Sequence, residues 1–104
     1  MFRAGDTALD QVLADGRMDD NTIILFCSDH GDMIGEKGLW FKMSMFEGSS
    51  RTPLMISAPQ MKPGLVTEPV SNLDIKPTLG ALAGIDLTEI EPWTDGESIV
   101  PLAE

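Results

Sequence analysis

The stretch TIILFCSDHG, residues 22–31, decides the fold, because an apolar run passes directly into a short polar segment. Residues 22–27 are rich in strand-favouring types, and a continuous apolar run is typical of a strand buried on both faces, as in a parallel sheet covered by helices. Gly31 permits the chain to turn after that strand. Asp29 and His30 thus lie at the end of a predicted buried strand, where ligands bind in open α/β sheets.

Helices and strands alternate along the rest of the chain, which predicts an α/β fold. The predicted elements are a helix over 6–14, a strand over 22–27, a helical turn within 39–46, strands over 53–58 and 66–71, and a helix over 75–83. We expect Asp74 to cap the last helix and Gly84 to end it. Pro77 falls in its first turn, where the missing N–H does no harm. The segment after Gly84 is predicted to be mostly loop.

Composition and charge indicate a globular domain and exclude some partners. The chain has 104 residues, of which 42% are hydrophobic, and this fits a single domain. It carries 17 acidic and 7 basic residues, a net charge of −10 that is spread along the sequence. This balance argues against nucleic acid as a partner. Because an acidic surface repels anions, sulfate or phosphate chemistry here would need a metal or a local cation.

The sequence also indicates the cellular compartment of the protein. One cysteine cannot form an internal disulfide, and we expect Cys27 to be buried in its strand as a small hydrophobe. The N-terminus MFRAGDTALD lacks the apolar core of about 7 to 15 residues that a signal peptide needs. No stretch approaches the roughly 20 apolar residues of a membrane span. We therefore expect a cytoplasmic protein with no membrane segment.

Asp29 and His30 form a candidate metal-binding pair. Neighbouring strand residues point to opposite faces, so these two can reach one ligand only where the backbone turns. A carboxylate and an imidazole make half a site for a divalent cation, whereas calcium takes about six to eight ligands. In the alternative, structural interpretation, Asp29 caps the loop and His30 is half exposed. The pair alone leaves both interpretations open.

Three stretches resemble a known family: SDHGDMIGEKGLWFKMSMFEGSSRTPLMISAP, VSNLDIKPTLGALAGIDL and PWTDGESIVPLA. They are similar to the sulfatase family, and within it to the bacterial choline-sulfatases. The shared motifs are SDHG after a strand, a lysine 13 residues beyond the aspartate, F-E-x-S-x-R-x-P-L and L-D-x-x-P-T-L, in that order. The resemblance implies an alkaline-phosphatase/sulfatase-like α/β fold. It also implies that 1–104 is the C-terminal part of a sulfatase catalytic domain, an incomplete sheet flanked by helices.

The resemblance further implies a metal-dependent sulfuric ester hydrolase. Asp29 and His30 would bind a divalent metal, usually calcium in this family, and Lys42 would contact the sulfate or the leaving oxygen. Mg²⁺ and Mn²⁺ are alternative ions, and the imidazole of His30, which suits transition metals better than calcium, leaves the identity of the metal open. A divalent ion offsets charge on the sulfate oxygens, and an ammonium stabilises the leaving oxygen. The implied partner is a small-molecule sulfate ester such as choline sulfate, and the full-length enzyme is expected to be a homo-oligomer.

The family's nucleophile is not encoded in this sequence. Sulfatases use a formylglycine made from Cys or Ser in a Cys/Ser-x-Pro-x-Arg motif, and the nearest match, SAPQM at 57–61, ends in methionine. We expect the formylglycine in an upstream part, and we expect this chain alone to be inactive, with exposed strand edges that promote self-association. Two alternatives remain: a phosphonate or phosphate-ester hydrolase of the alkaline phosphatase superfamily, and a non-catalytic acidic module that binds a cation or a partner.

The sequence also predicts specific roles for several other residues. Glu47 and Arg51, four positions apart, are predicted to form an ion pair and to shape the loop that bears Lys42. Trp40 and Phe41 can either hold a quaternary ammonium on their aromatic faces or pack in a core or lid, and Trp93 poses the same choice. The methionines predicted to fill gaps in the core are those at 33, 43, 45, 55 and 61.

Overall fold

The computed structural model describes residues 11, 14–15, 20–90, 92 and 94–103. The predicted helix over 6–14 lies outside them except for residues 11 and 14, and Trp93 lies outside them as well. The strands are β1 (Ile24–Cys27), β2 (Met33–Ile34), β3 (Trp40–Phe41) and β4 (Leu54–Ser57). The helices are α1 (Glu47–Ser50), α2 (Ile75–Leu82) and α3 (Leu87–Ile90), with 3₁₀ turns at Glu36–Gly38, Asn72–Asp74 and Val100–Ala103.

The predicted strands at 22–27 and 53–58 form as β1 and β4, but their arrangement differs from the prediction. They pair antiparallel, with Ile24 opposite Ser57 and Cys27 opposite Leu54. The expected parallel sheet buried on both faces is wrong for β1, because Phe26 and Cys27 are exposed. An apolar run indicates that a strand can be buried, yet it carries no information on the direction of the partner. In the described part of the chain β4 is the only strand paired with β1, which leaves one edge of β1 open.

A second, smaller sheet is the hairpin of β2 and β3. Gly35, at a φ of 113°, starts the connecting turn, and its N–H donates to the carbonyl of Leu39 over 3.0 Å. The Ile34 N–H donates to the Glu36 carboxylate over 2.7 Å, which closes the turn. The helical turn predicted within 39–46 is wrong, because its first part is extended in β3 and the helix begins only at α1. The turn that starts at Gly35, and not the spacing of the apolar residues, determines the conformation of this segment.

Helix α2 matches its predicted position but is capped differently. A 3₁₀ turn precedes it, so the free N–H groups lie one turn earlier than expected. The Asp74 carboxylate accepts from the Ser71 N–H over 2.7 Å and from the Glu97 N–H over 3.0 Å, and the predicted cap on α2 itself is wrong. Pro77 is buried in the first turn and Gly84, at a φ of 74°, follows the last turn, as predicted.

The core is small and centres on α2. The buried residues in the described ranges are Met33, Ser49, Ala58, Pro77, Thr78, Gly80 and Leu82. Thr78 is fully buried, and its hydroxyl accepts from the Ile99 N–H over 3.0 Å, which ties the C-terminal segment to α2. None of the helices described is both long and apolar enough to cross a membrane.

Three predictions about burial and extension are wrong. Only Met33 is a core methionine among the five proposed; Met61 is half-buried, and the exposed ones are Met43, Met45 and Met55. Cys27 is exposed, because it lies at the end of a two-stranded sheet. Residues 66–71, predicted as a strand, are irregular throughout, and Pro69 within them has no N–H to contribute to a ladder.

Candidate active site

The Asp29–His30 pair lies in a tight turn directly after β1. The Ser28 hydroxyl donates to the His30 carbonyl over 2.7 Å, and the His30 N–H donates to the Asp29 carboxylate over 2.9 Å. These local bonds bend the chain, so that Asp29 Oδ2 lies 3.4 Å from His30 Nε2. The structure therefore brings together the two side chains that were predicted to share a cation.

The contacts of the His30 ring fit the tautomer that carries its proton on Nδ1. Nδ1 lies 2.9 Å from the Gly31 carbonyl oxygen, which can only accept, so Nδ1 carries the proton. Nε2 lies 3.1 Å from Lys42 Nζ, and an ammonium can only donate, so Nε2 presents its lone pair. A backbone carbonyl on one ring nitrogen is the usual way to orient a metal-binding histidine.

Lys42 completes the group of three predicted residues. Its ammonium contacts His30 although the two residues lie 12 positions apart. The residue before it, Phe41, has a φ of 68°, a left-handed conformation that bulky residues rarely adopt and that occurs preferentially at functional sites. The Lys42 side chain follows this unusual backbone conformation and reaches His30 in the turn after β1.

This group has the donor chemistry of a partial divalent metal site. Asp29 offers a carboxylate that is 84% exposed, and His30, at 34%, offers the Nε2 lone pair that Lys42 contacts in this structure. A separation of 3.4 Å allows both atoms to contact one cation. In the described ranges of the chain, no third His, Cys, Asp or Glu joins them. The residues fit a divalent ion, but they supply only part of its shell.

Asn72 is a contributor that the sequence analysis did not identify. Its Nδ2 donates to the carbonyl oxygens of Ser28 over 3.0 Å and of Asp29 over 3.2 Å. The entry to α2 is thereby fixed to the turn that carries the candidate ligands. The position of Asn72 beside the L-D-x-x-P-T-L motif was the available signal, although an asparagine before a helix is ordinarily explained as a cap.

A close backbone approach explains why Gly31 follows the pair. A Cβ at this position would lie 2.2 Å from the Gly48 carbonyl oxygen, closer than real Cβ atoms come. The Gly31 N–H donates to the Ser49 carbonyl over 2.8 Å. The turn after β1 therefore lies directly against α1, and a side chain here would push the two apart.

The structure also describes the other residues for which the sequence predicted a role. Glu47 and Arg51 form the predicted ion pair, with 3.0 Å between Oε2 and Nη1 and both side chains exposed. Trp40 and Phe41 are exposed, so packing in the core is wrong for both, whereas the lid and the binding of a quaternary ammonium stay predictions. A polar cleft of about 280 Å³ borders this region, lined by Ser50, Arg51, Thr52, Leu54, Val70, Ser71 and Asn72.

The family model described as Sulfatase matches residues 3–85. This chain belongs to the sulfatase family. Among curated relatives of this sulfatase chain, the choline-sulfatase of Rhizobium meliloti (strain 1021) is 66% identical over 83% of the chain and 17% of the relative. Arylsulfatase K of Danio rerio is 49% identical over 78% of the chain and 15% of the relative. The sulfatase chain thus spans less than a fifth of the length of these relatives.

Solved structures agree on the fold of the sulfatase chain. A phosphonate monoester hydrolase from Silicibacter pomeroyi superimposes with a TM-score of 0.74 at 33% identity, over 95% of this chain and 19% of that one. A second protein, solved in complex with its substrate D-glucosamine-2-N,6-O-disulfate, superimposes with a TM-score of 0.72 at 32% identity. The match covers 95% of this chain and 20% of that one. The predicted α/β fold of alkaline-phosphatase/sulfatase type, with a partial sheet, is confirmed. Members of the family generally use a divalent metal and formylglycine.

Proposed function

We propose that this chain is the C-terminal part of the catalytic domain of a sulfuric ester hydrolase similar to choline-sulfatase. The observation that carries the proposal is the meeting of Asp29, His30 and Lys42, with 3.4 Å and 3.1 Å between their functional atoms. A carboxylate, an imidazole lone pair and an ammonium in one place suit an anionic ester that is held by a metal and a lysine.

Each of the three residues has a role set by its contacts. Asp29 and His30 Nε2 would hold a divalent ion, with His30 oriented by its bond to the Gly31 carbonyl. That ion, when bound, would offset negative charge on the sulfate oxygens. Lys42 would place its ammonium by the leaving oxygen and stabilise the charge that develops as the S–O bond breaks. Because Nε2 has a single lone pair, Lys42 and the ion are alternative partners for it.

Calcium is the ion we propose first, with Mn²⁺ and Mg²⁺ as alternatives. The family resemblance favours calcium, whereas the imidazole ligand favours a transition metal. The chain contains no Cys/Ser-x-Pro-x-Arg motif, so the formylglycine would come from outside these 104 residues. On this proposal the 104-residue chain binds metal weakly and does not turn over sulfate esters by itself.

Choline sulfate is the proposed substrate for the whole enzyme. The 66% identity to the Rhizobium choline-sulfatase supports it. The alcohol part of this ester is a quaternary ammonium, a group that aromatic faces bind. The exposed rings of Trp40 and Phe41, which precede Lys42, are available to such a cation.

A chimera tests the proposal. Residues 3–85 would replace the corresponding segment of the Rhizobium choline-sulfatase, and hydrolysis of choline sulfate would be measured with added calcium or manganese. We expect the chimera to be active, and Asp29→Asn to lower kcat/KM by at least about 100-fold, since the carboxylate holds the ion that stabilises the transition state. Asp32→Asn, an exposed carboxylate two positions after the pair, is the matched control. Equal activity in the two variants would refute the role of Asp29.

One observation favours a second candidate, a phosphonate monoester hydrolase. The structure of such an enzyme superimposes on this chain with a TM-score of 0.74. The same chimera can be assayed on a phenyl phosphonate monoester. A ratio of kcat/KM values that favours the phosphonate over choline sulfate, relative to the unmodified Rhizobium enzyme, would support this second candidate.

A further inference from the structure

Ser49 contacts both loops that carry the candidate site. This residue of α1 is 2% exposed. Its backbone carbonyl accepts the Gly31 N–H over 2.8 Å, next to the Asp29–His30 pair. Its hydroxyl donates to the backbone carbonyl of Lys42. One buried residue thus joins the proposed metal-binding turn to the segment that presents the lysine.

The direction of the Ser49 hydroxyl is not the usual one for a serine in a helix. Such hydroxyls ordinarily bond a carbonyl within their own turn. Ser50, the next residue, does this, and its Oγ lies 3.0 Å from the Phe46 carbonyl oxygen and 3.2 Å from that of Met45. Ser49 instead reaches a carbonyl seven positions back, outside the helix. Two adjacent serines therefore have different tasks, which gives the chain a matched internal control.

The contact fixes the backbone from which the ammonium extends. The Lys42 carbonyl also accepts the Ser44 N–H over 2.8 Å, so it is held from two sides. Phe41, directly before it, has a left-handed φ of 68°. A residue in such a conformation stays there only when its surroundings hold it. The buried hydroxyl of Ser49 is one such constraint.

We propose that Ser49 is a positioning residue that sets the distance between the Lys42 ammonium and the His30 imidazole. Through its backbone carbonyl it holds the turn of Gly31, and through its hydroxyl it holds Lys42, so this one residue joins the proposed metal ligands to the lysine. The catalytic meaning of this register rests on the proposed function. The geometric statement can be tested without any activity.

Nuclear magnetic resonance of the chain tests the geometry, because His30 is its only histidine and ¹⁵N-histidine labelling gives one ring. The Lys42→Met variant, which has no ammonium, gives the reference chemical shift of His30 Nε2. We expect Ser49→Ala to move the Nε2 resonance at least halfway from the wild-type position to that reference, because Lys42 is no longer held. Ser50→Ala should leave it at the wild-type position. A wild-type Nε2 resonance in Ser49→Ala would overturn the proposal.

Folding of the variant is checked by circular dichroism. If Ser49→Ala does not fold, the unmodified chain decides the question. It should show a nuclear Overhauser effect between the Ser49 side chain and the backbone around Lys42, and its Gly31 amide should exchange at least about 10-fold more slowly than the exposed amide of Gly64. Absence of both signals would contradict the proposed contacts.

Manganese separates this inference from the proposed function. Paramagnetic Mn²⁺ should broaden the His30 ring signals in wild type, in Ser49→Ala and in Ser50→Ala alike, since Asp29 and His30 remain. If Mn²⁺ broadens none of them, the proposed metal role fails, while the shift of Nε2 in Ser49→Ala still supports the positioning role. If broadening occurs and the shift does not, the positioning role fails alone.

The chimera with the Rhizobium enzyme supplies the catalytic readout. A displaced ammonium matters most when the leaving alkoxide is basic. We expect Ser49→Ala to lower kcat for choline sulfate by about 10-fold with KM nearly unchanged, and to lower kcat for a nitrophenyl sulfate by much less. Ser50→Ala should change neither. An equal loss on both esters would indicate a general structural defect and refute the positioning role.

Discussion

Asn72 donates a hydrogen bond to the backbone carbonyl of Asp29 over 3.2 Å, although 43 positions separate the two residues. The same amide group donates to the Ser28 carbonyl over 3.0 Å. Both acceptors lie in the turn where β1 ends, and Asn72 itself begins the 3₁₀ turn that leads into α2. The turn with the candidate ligands is therefore held from the side of α2 by Asn72 and from the side of α1 by Ser49.

We predict that Asn72→Ala loosens this turn. The variant loses two hydrogen bonds to backbone carbonyls, and we expect the free energy of unfolding to fall by about 1 kcal/mol, since the group is exposed and water partly replaces it. The amides of His30 and Gly31 should exchange several-fold faster in hydrogen-exchange measurements.

The matched control for Asn72 is Gln60→Ala. Gln60 Nε2 donates to the Leu82 carbonyl over 3.2 Å, which is the same kind of bond at a distance from the candidate site. We expect a similar loss of stability with unchanged exchange at His30. If Gln60→Ala accelerates exchange at His30 as much as Asn72→Ala does, the local role of Asn72 is wrong.

Much of the secondary structure could be predicted from local sequence. The apolar runs at 22–27 and 53–58 form β1 and β4, and α2 lies between its proline-containing first turn and Gly84. The turn of Asp29 and His30 followed from the end of an apolar run before a glycine. These features depend on neighbours in the chain, and sequence patterns report neighbours well.

The features that could not be predicted depend on distant partners. The antiparallel direction of β4 relative to β1 could not be predicted, because an apolar run does not indicate the direction of the partner strand. The hydroxyl of Ser49 and the amide of Asn72 are polar groups whose local role, as helix or cap residues, masks their bonds to Lys42 and Asp29. Exposed Cys27 shows the same limit, because burial depends on the layers around a strand, not on the strand itself.

Three glycines should differ sharply in their tolerance of a methyl group. A Cβ at Gly31 would lie 2.2 Å from the rigid Gly48 carbonyl oxygen, one at Gly48 would meet the flexible Met33 Sδ at 3.1 Å, and one at Gly64 would meet nothing within 4 Å. We expect Gly31→Ala to lower the free energy of unfolding by more than about 2 kcal/mol, by separating the turn from α1.

The other two glycine variants are the controls. At Gly48 the gain in helix propensity, about 1 kcal/mol, should offset most of the strain on Met33, and Gly64→Ala should be neutral or slightly stabilising. Urea unfolding measures all three. The order would be contradicted if Gly31→Ala were as stable as Gly64→Ala.

The Asp86 carboxylate should add a small stabilisation to the folded chain that is lost at acidic pH. The Thr88 hydroxyl, at 2.8 Å, and then the Thr88 N–H donate to its carboxylate and lower the pKa of Asp86 below its usual value. Because the folded pKa is below the unfolded one, near 4, this stabilisation is fully present above about pH 4 and is lost as the pH falls through the folded pKa. A carboxyl ¹³C titration measures it.

Thr88→Val tests the cause of that shift. It removes the hydroxyl, which is the larger contribution, and should raise the pKa of Asp86 toward its usual value, whereas Thr67→Val in another loop should leave it unchanged. A pKa of Asp86 that is equal in wild type and Thr88→Val would show that the hydroxyl does not bond the carboxylate in solution.

Lys42 should be the most sensitive basic residue for hydrolysis in the chimera with the Rhizobium enzyme. Its ammonium is 3.1 Å from His30 Nε2, whereas Lys37, five positions earlier, lies over the Phe46 ring at 5.4 Å from its centroid. We expect Lys42→Met to lower kcat for choline sulfate by about 100- to 1,000-fold, the usual cost of removing a donor at developing negative charge, and Lys37→Met to change it by less than about twofold.

The charge and the shape of Lys42 can be separated with Lys42→Arg. The guanidinium keeps the positive charge, but its planar fork differs from a compact ammonium, so we expect only a partial rescue, with kcat between those of wild type and Lys42→Met. The loss should be larger for choline sulfate than for a nitrophenyl sulfate, because a nitrophenolate needs little help to leave. If Lys42→Met raised KM and left kcat unchanged, the lysine would bind the sulfate in the ground state and would not act on the leaving oxygen.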